Sequence, residues 1–102
     1  MTDLPKWVGF DWDEHNEGKI WDKHHVDLQE AERVFFNKPL WIKEDEGHSK
    51  HEQRFHALGF TDERRFLFVA FTMRGDFIRI ISARPMNKKE RKAYVSSEKE
   101  DT

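Results

Sequence analysis

Four arginines are the side chains of this sequence best suited to chemistry. Arg54, Arg74, Arg79 and Arg84 all fall on or beside stretches that read as β-strands. A guanidinium stays charged at any physiological pH and grips an oxyanion through two parallel hydrogen bonds. Several of them on one sheet therefore point to a bound or developing anion such as phosphate. Arg79 is the sharpest case, because it interrupts the apolar run 77–83 (FIRIISA), where an unpaired charge is costly to hold. The plain alternative is a solvent-facing position on an alternating strand, but strict alternation puts Phe77 and Ile81 on the same face. Arg74, beside Gly75, reads equally as turn surface, and Arg84, before Pro85, reads equally as a strand end.

Proton transfer needs a different residue type. His24 is the natural general acid or base, since histidine ordinarily titrates near neutrality, and Lys23 beside it suits an anion anchor. The plain alternative for His24 is closure of a helix C-terminus, where a cation is favoured anyway. Glu52 lies two residues before Arg54, so an extended backbone puts both on one face, as an orienting ion pair or with Glu52 as a carboxylate base. Tyr94 is a further proton donor. His48 and His51, with Asp45 or Glu46, have ligand chemistry adequate for a metal, but they sit in a polar loop without a second pair. The reading is thus of a site with no metal and no cofactor. The absence of cysteine removes thiol nucleophiles, disulfides and cysteine zinc sites.

Charge supports a local anion site. The net charge of −2 hides a segment, 73–95, with seven Lys/Arg against two acids, a balance of +5. Lys88 belongs to this segment and joins Lys23, Arg74 and Arg84 as a candidate phosphate ligand. A basic segment on a chain whose overall charge is close to neutral suits one anionic partner better than general stickiness.

The elements that must position these residues follow from periodicity. Residues 8–12 read as a short strand. Asp13 suits a helix N-cap for 14–23, whose apolar face is thin (Ile20, Trp21) and weakened by Gly18. Asp27-Leu28-Gln29-Glu30 fits an aspartate form of the capping box, and Leu28, Ala31, Val34 and Phe35 recur at helical spacing until Asn37 and Pro39 end the helix. Residues 40–43, 53–59, 65–72 and 77–83 read as strands, with Arg74-Gly75-Asp76 a tight turn. Residues 88–95 read as a short helix. The expectation is an α+β domain over residues 1–95, an antiparallel sheet with two N-terminal helices packed on one face and a short C-terminal helix, followed by a polar tail, 96–102. Nine Phe and four Trp provide core material for a single core. Neither a secretory leader nor a membrane-spanning run is expected, which points to a cytoplasmic address.

Read in order, FDWDE, KHHVDLQEAERVFF, EQRFHALGF, FLFVAFTMRGDFIRIISAR and KKERKAY resemble the BrnT toxins over roughly residues 8–94. The run TMRGDFIRIISAR followed by KERKAY is the most specific part. Two departures stand out: the glycine of the family's KHGV turn is His25 here, and a first-helix asparagine is Ile20. The resemblance implies a RelE-like fold, metal-independent cleavage of RNA and inhibition of translation and growth. It also implies neutralisation by a ribbon-helix-helix antitoxin of the BrnA type, through which a complex would bind operator DNA. Such cleavage needs a base for the 2′-hydroxyl, cations for the pentavalent phosphorane and an acid for the leaving 5′-oxygen. His24, Glu52, Arg54 and Arg79 are the residues expected to divide these tasks. A non-catalytic nucleic-acid-binding domain and a protein-interaction module are the competing classes.

Overall fold

The structure, a computed structural model, describes residues 6–12, 24–48 and 52–100. In chain order its elements are β1 (Gly9–Phe10), α1 (Leu28–Arg33) with a 3₁₀ turn (Val34–Phe36), β2 (Trp41–Glu44), a second 3₁₀ turn (Glu46–His48), β3 (Arg54–Phe60), β4 (Phe66–Arg74), β5 (Phe77–Pro85) and α2 (Lys88–Glu100). The five strands form one sheet in the order β1-β5-β4-β3-β2. β2 to β5 pair antiparallel, whereas β1 joins β5 in parallel. The sheet is therefore mixed, not purely antiparallel as the sequence suggested. The reason is that β1 pairs with the last strand, and nothing local to residues 8–12 signals so distant a partner.

The Asp27 capping box forms as read. Asp27 accepts from the Gln29 amide at 2.9 Å, and Glu30 accepts from the Asp27 amide at 3.4 Å. The α-helix stops at Arg33 and tightens into the 3₁₀ turn, a common way to end a helix whose last carbonyls lack partners. Ala31, Val34 and Phe35 pack on one sheet face, against Phe55, Ala57, Leu67, Val69, Phe71, Ile78, Ile80 and Ala83. Phe35 meets Phe71 edge to face at 5.1 Å. Gly59 permits this approach: a Cβ there would stand 2.7 Å from Val34 Cγ1. The helix expected over 14–23 lies outside the described residues.

α2 begins in a second capping box. The Glu90 amide donates to Asn87 Oδ1 at 2.8 Å, and Glu90 Oε1 accepts from the Asn87 amide at 2.9 Å. The helix runs on to Glu100, past the end at 95 expected from the sequence. It packs on the sheet face away from α1, where Tyr94 is buried, lies tilted against Phe66 at 5.8 Å and donates its hydroxyl proton to the Pro39 carbonyl at 2.6 Å. Tyr94 is thus a structural anchor. Among the described residues no helix is long and apolar enough to cross a membrane.

Candidate functional site

The face that carries α2 also carries the arginines. Alternation sends Phe55, Ala57, Leu67, Val69 and Phe71 into the core, so Arg54, His56, Leu58, Phe68, Ala70 and Thr72 point the other way. The strand register then builds rows. Arg54 stands opposite Thr72, and Thr72 opposite Arg79. Two residues along, Lys43, His56, Ala70 and Ser82 make a second row. Trp41, Leu58, Phe68 and Arg84 make a third. Thr72, at the centre of the first row, is buried and donates its hydroxyl to the Gln53 carbonyl at 2.6 Å. α2 anchors at Phe66, six residues from Thr72, about 20 Å along an extended strand.

Arg79 is the anomaly of this face. Its side chain is only 23% exposed, and among the described residues the carboxylate oxygen paired with it, on Asp11, lies 4.0 Å from its Nε. That Nε is buried, with no hydrogen-bond partner among the described residues. Buried donors are normally paired, and an orphan of this kind marks a place where a ligand is expected. The Asp11 amide donates to the Ile78 carbonyl at 2.9 Å, which holds the carboxylate beside the row.

A β-bulge shapes the rest of the face. Phe71 pairs with Ile80 and Ala70 with Ser82, leaving Ile81 as the extra residue on β5. Arg79 and Arg84 are five residues apart and would face opposite sides of a regular strand. The bulge brings them to the same side, and it breaks the alternation that placed Ile81 beside Arg79.

Not every expected residue is free for chemistry. Arg84 donates to both oxygens of Glu90, at 2.7 and 2.8 Å, with its guanidinium 4.2 Å from the Phe68 ring. The hydrogen bond from Arg84 holds the Glu90 carboxyl below its ordinary value, and the same bond raises Arg84. Arg84 therefore fastens α2 to the sheet. Glu52 lies 3.6 Å from Arg74 and pairs with that exposed arginine. Lys88 is exposed at the start of α2. Lys23 lies outside the described residues. His24 is not brought to the arginine row: its carbonyl accepts from Arg65 at 3.3 Å, and Arg65 also pairs with Glu30 of α1. Arg65 precedes β4, seven residues from Thr72. The neighbouring His25 takes the left-handed backbone region, with φ of 53°, a conformation that favours glycine.

One functional candidate escaped the sequence reading. His56 sits in the second row, with Nε2 2.9 Å from Asp45 Oδ2 and its ring 4.7 Å from Phe68. Its side chain is about one-third exposed. The available signal was its spacing: two residues after Arg54 on a strand, it must share that arginine's face. Its partner Asp45 is placed by a non-local bond, the Asp45 amide donating to the Arg54 carbonyl at 2.8 Å. Asp45 is thereby engaged with a histidine of β3. Of the other residues weighed as metal ligands, His51 lies outside the described residues. Among the described residues no group of three His, Asp or Glu stands together as a metal would require.

The arrangement can hold an anion between two guanidiniums, with an imidazole–carboxylate pair one row away, about 7 Å along the strand. Comparisons with known proteins identify the family. A family model described as the ribonuclease toxin BrnT of type II toxin–antitoxin systems matches residues 12–90. The crystal structure of the Brucella abortus ribonuclease toxin BrnT is similar in fold, with a TM-score of 0.62 at 19% identity over 79% of this chain and 99% of that one. No curated protein matches in sequence. With the family model spanning most of its length, the chain belongs to the BrnT family of type II toxin–antitoxin ribonuclease toxins.

Proposed function

We propose that the chain is an endoribonuclease that cleaves RNA without a metal, and that the Arg54–Thr72–Arg79 row binds the scissile phosphate. The observation that carries this is the buried, unpartnered Nε of Arg79, a donor awaiting an anion. His56, oriented by Asp45, removes the 2′-hydroxyl proton. The 2′-oxygen attacks the adjacent phosphorus, and the bond to the 5′-oxygen breaks to leave a 2′,3′-cyclic phosphate. The departing 5′-oxygen takes its proton from solvent. Arg54 and Arg79 stabilise the added negative charge on the phosphorane, a task for preformed, fixed donors. The acid–base role expected of His24 thus passes to His56. Arg74 and Lys88, both exposed, guide the flanking strand, and Lys23 remains a candidate anchor. Incubation of a defined RNA with the protein in EDTA should yield cyclic-phosphate ends, and Arg79→Ala should lose them. Activity that vanishes in EDTA and returns with zinc or magnesium would refute the metal-free route.

In the cell this activity would inhibit translation and growth from the cytoplasm. The antitoxin in this reading is a ribbon-helix-helix protein that lays an acidic, amphipathic segment over the arginine face, and binds operator DNA on behalf of the complex. The RelE-like description of the fold belongs to the same reading. The local +5 of residues 73–95 would speed encounter with such a segment at low salt. Arg79→Glu should slow association and flatten its salt dependence; unchanged kinetics would place the antitoxin elsewhere.

A further inference from the structure

Between the third row and α2 lies a groove of about 360 Å³, near the small end of the volumes that ligand sites occupy. Its floor is Trp41, Leu58 and Phe68; Ala93 of α2 forms one wall, and the exposed Lys43 and Lys89 stand at its lips. His56 belongs both to this groove and to the neighbouring hollow lined by Lys43 to Glu46. The groove is therefore continuous with the residue to which the ribonuclease reading gives the proton transfer.

We infer that this groove receives a nucleobase of the RNA substrate, beside the phosphate held on the arginine row. The inference rests on the ribonuclease reading above and adds to it where a base goes. Three features support it. Planar groups already gather here: the Arg84 guanidinium lies over the Phe68 ring, 4.2 Å from its centre, and the His56 ring packs tilted against it at 4.7 Å. Proteins that bind unpaired RNA stack bases on such aromatic and guanidinium planes. Two lining residues, Lys43 and Lys89, are cationic, and the one lining acid, Glu90, is already paired with Arg84, which suits the phosphates that flank a base. The spacing also fits, since the second row, with His56, stands midway between the phosphate row and the groove floor, about 7 Å from each. A ribose bridging that step would put its 2′-hydroxyl near His56, its phosphate on the arginines and its base in the groove.

The test uses short RNA strands blocked by 2′-O-methylation, compared with strands carrying one abasic ribose at successive positions. Binding is read by fluorescence anisotropy. One abasic position should weaken binding by about 5- to 100-fold, the range for losing one stacked base. Ala93→Trp, which fills the groove from an exposed helix position, should erase that difference while leaving the affinity of the abasic strand unchanged. Trp41→Leu, which removes an aromatic surface, should reduce the difference too and serves if the first variant does not fold. Equal binding of every abasic strand and its parent would overturn the inference while leaving the phosphate site intact. It is also the outcome expected if the groove seats an apolar side chain of a protein partner. If no strand binds, the ribonuclease reading falls and the nucleobase site falls with it.

Discussion

Replacing Arg79 by methionine should make the protein more stable and nearly inactive. Arg79 lies in a β-strand flanked by Ile78 and Ile80, both fully buried. A buried polar group without a hydrogen-bond partner costs about 1–3 kcal/mol. The offset is small: Asp11 is 44% exposed and 4.0 Å away, a geometry typically worth about 0–1 kcal/mol. Methionine keeps an apolar stem of similar reach and removes the orphan donor. The net gain should be about 1–2 kcal/mol, or roughly 4–8 °C in Tm per kcal/mol for a domain near 100 residues. Activity should move the other way, since removal of one preorganised donor to a developing anion costs about 10²–10³ in kcat. Urea unfolding at constant m-value would read the first effect, and cleavage of a defined RNA the second. A lowered unfolding midpoint would show that Arg79 is held by structure and not reserved for a ligand. Unchanged cleavage would remove it from the site altogether.

Three other changes test neighbouring parts of the argument. His56→Asn should lower kcat by about 10²–10⁴ while affinity for 2′-O-methylated RNA holds, as expected for a proton-transfer group; a matching loss of affinity would make it a binding residue instead. Glu90→Gln should destabilise the protein by about 1–2 kcal/mol at neutral pH through loss of the charged pair with Arg84. Because Arg84 depresses the Glu90 carboxyl in the folded state, that stability is fully present above the ordinary value of 4.5 and disappears as pH falls through the folded value. Melting curves of the two proteins should therefore converge in acid, and a constant gap would contradict the linkage. His25→Gly should raise Tm by a few degrees, since a non-glycine residue in the left-handed region costs about 1–2 kcal/mol and glycine returns about 0.5–1 of that through the freer unfolded chain. A fall in Tm would mean that the imidazole makes contacts outweighing the strain.

What could be read in advance was local. The DLQE capping box, the helical spacing of Ala31, Val34 and Phe35, and the strands around Phe55, Val69 and Ile80 are each encoded within a few neighbouring residues. The arginines were legible for the same reason, as charges interrupting apolar alternation. Pairings between distant segments were not. β1 lies parallel to β5, Asp45 at the end of β2 reaches His56 on the neighbouring β3, and Glu90 engages Arg84 while capping its own helix. Each depends on a register that no short window records. The placement of His24 was hidden for a related reason, because its carbonyl is held by Arg65 reaching back to the turn before α1.

The bulge at Ile81 has a consequence beyond the side on which Arg84 falls. Remove that residue on paper, and Ile78, Ile80 and Ala83 still point inward while Arg79, Ser82 and Arg84 still point outward. The inside–outside order does not need the extra residue. What it adds is a local bend and stronger twist. The bend lies between the half of β5 that carries Arg79 and the half that Arg84 and Glu90 tie to α2. It works as an elbow, setting the angle between the phosphate row and the wall of the groove. Two proteins of this family could then share every residue of the site and still aim the bound strand differently, through one residue that is not among them.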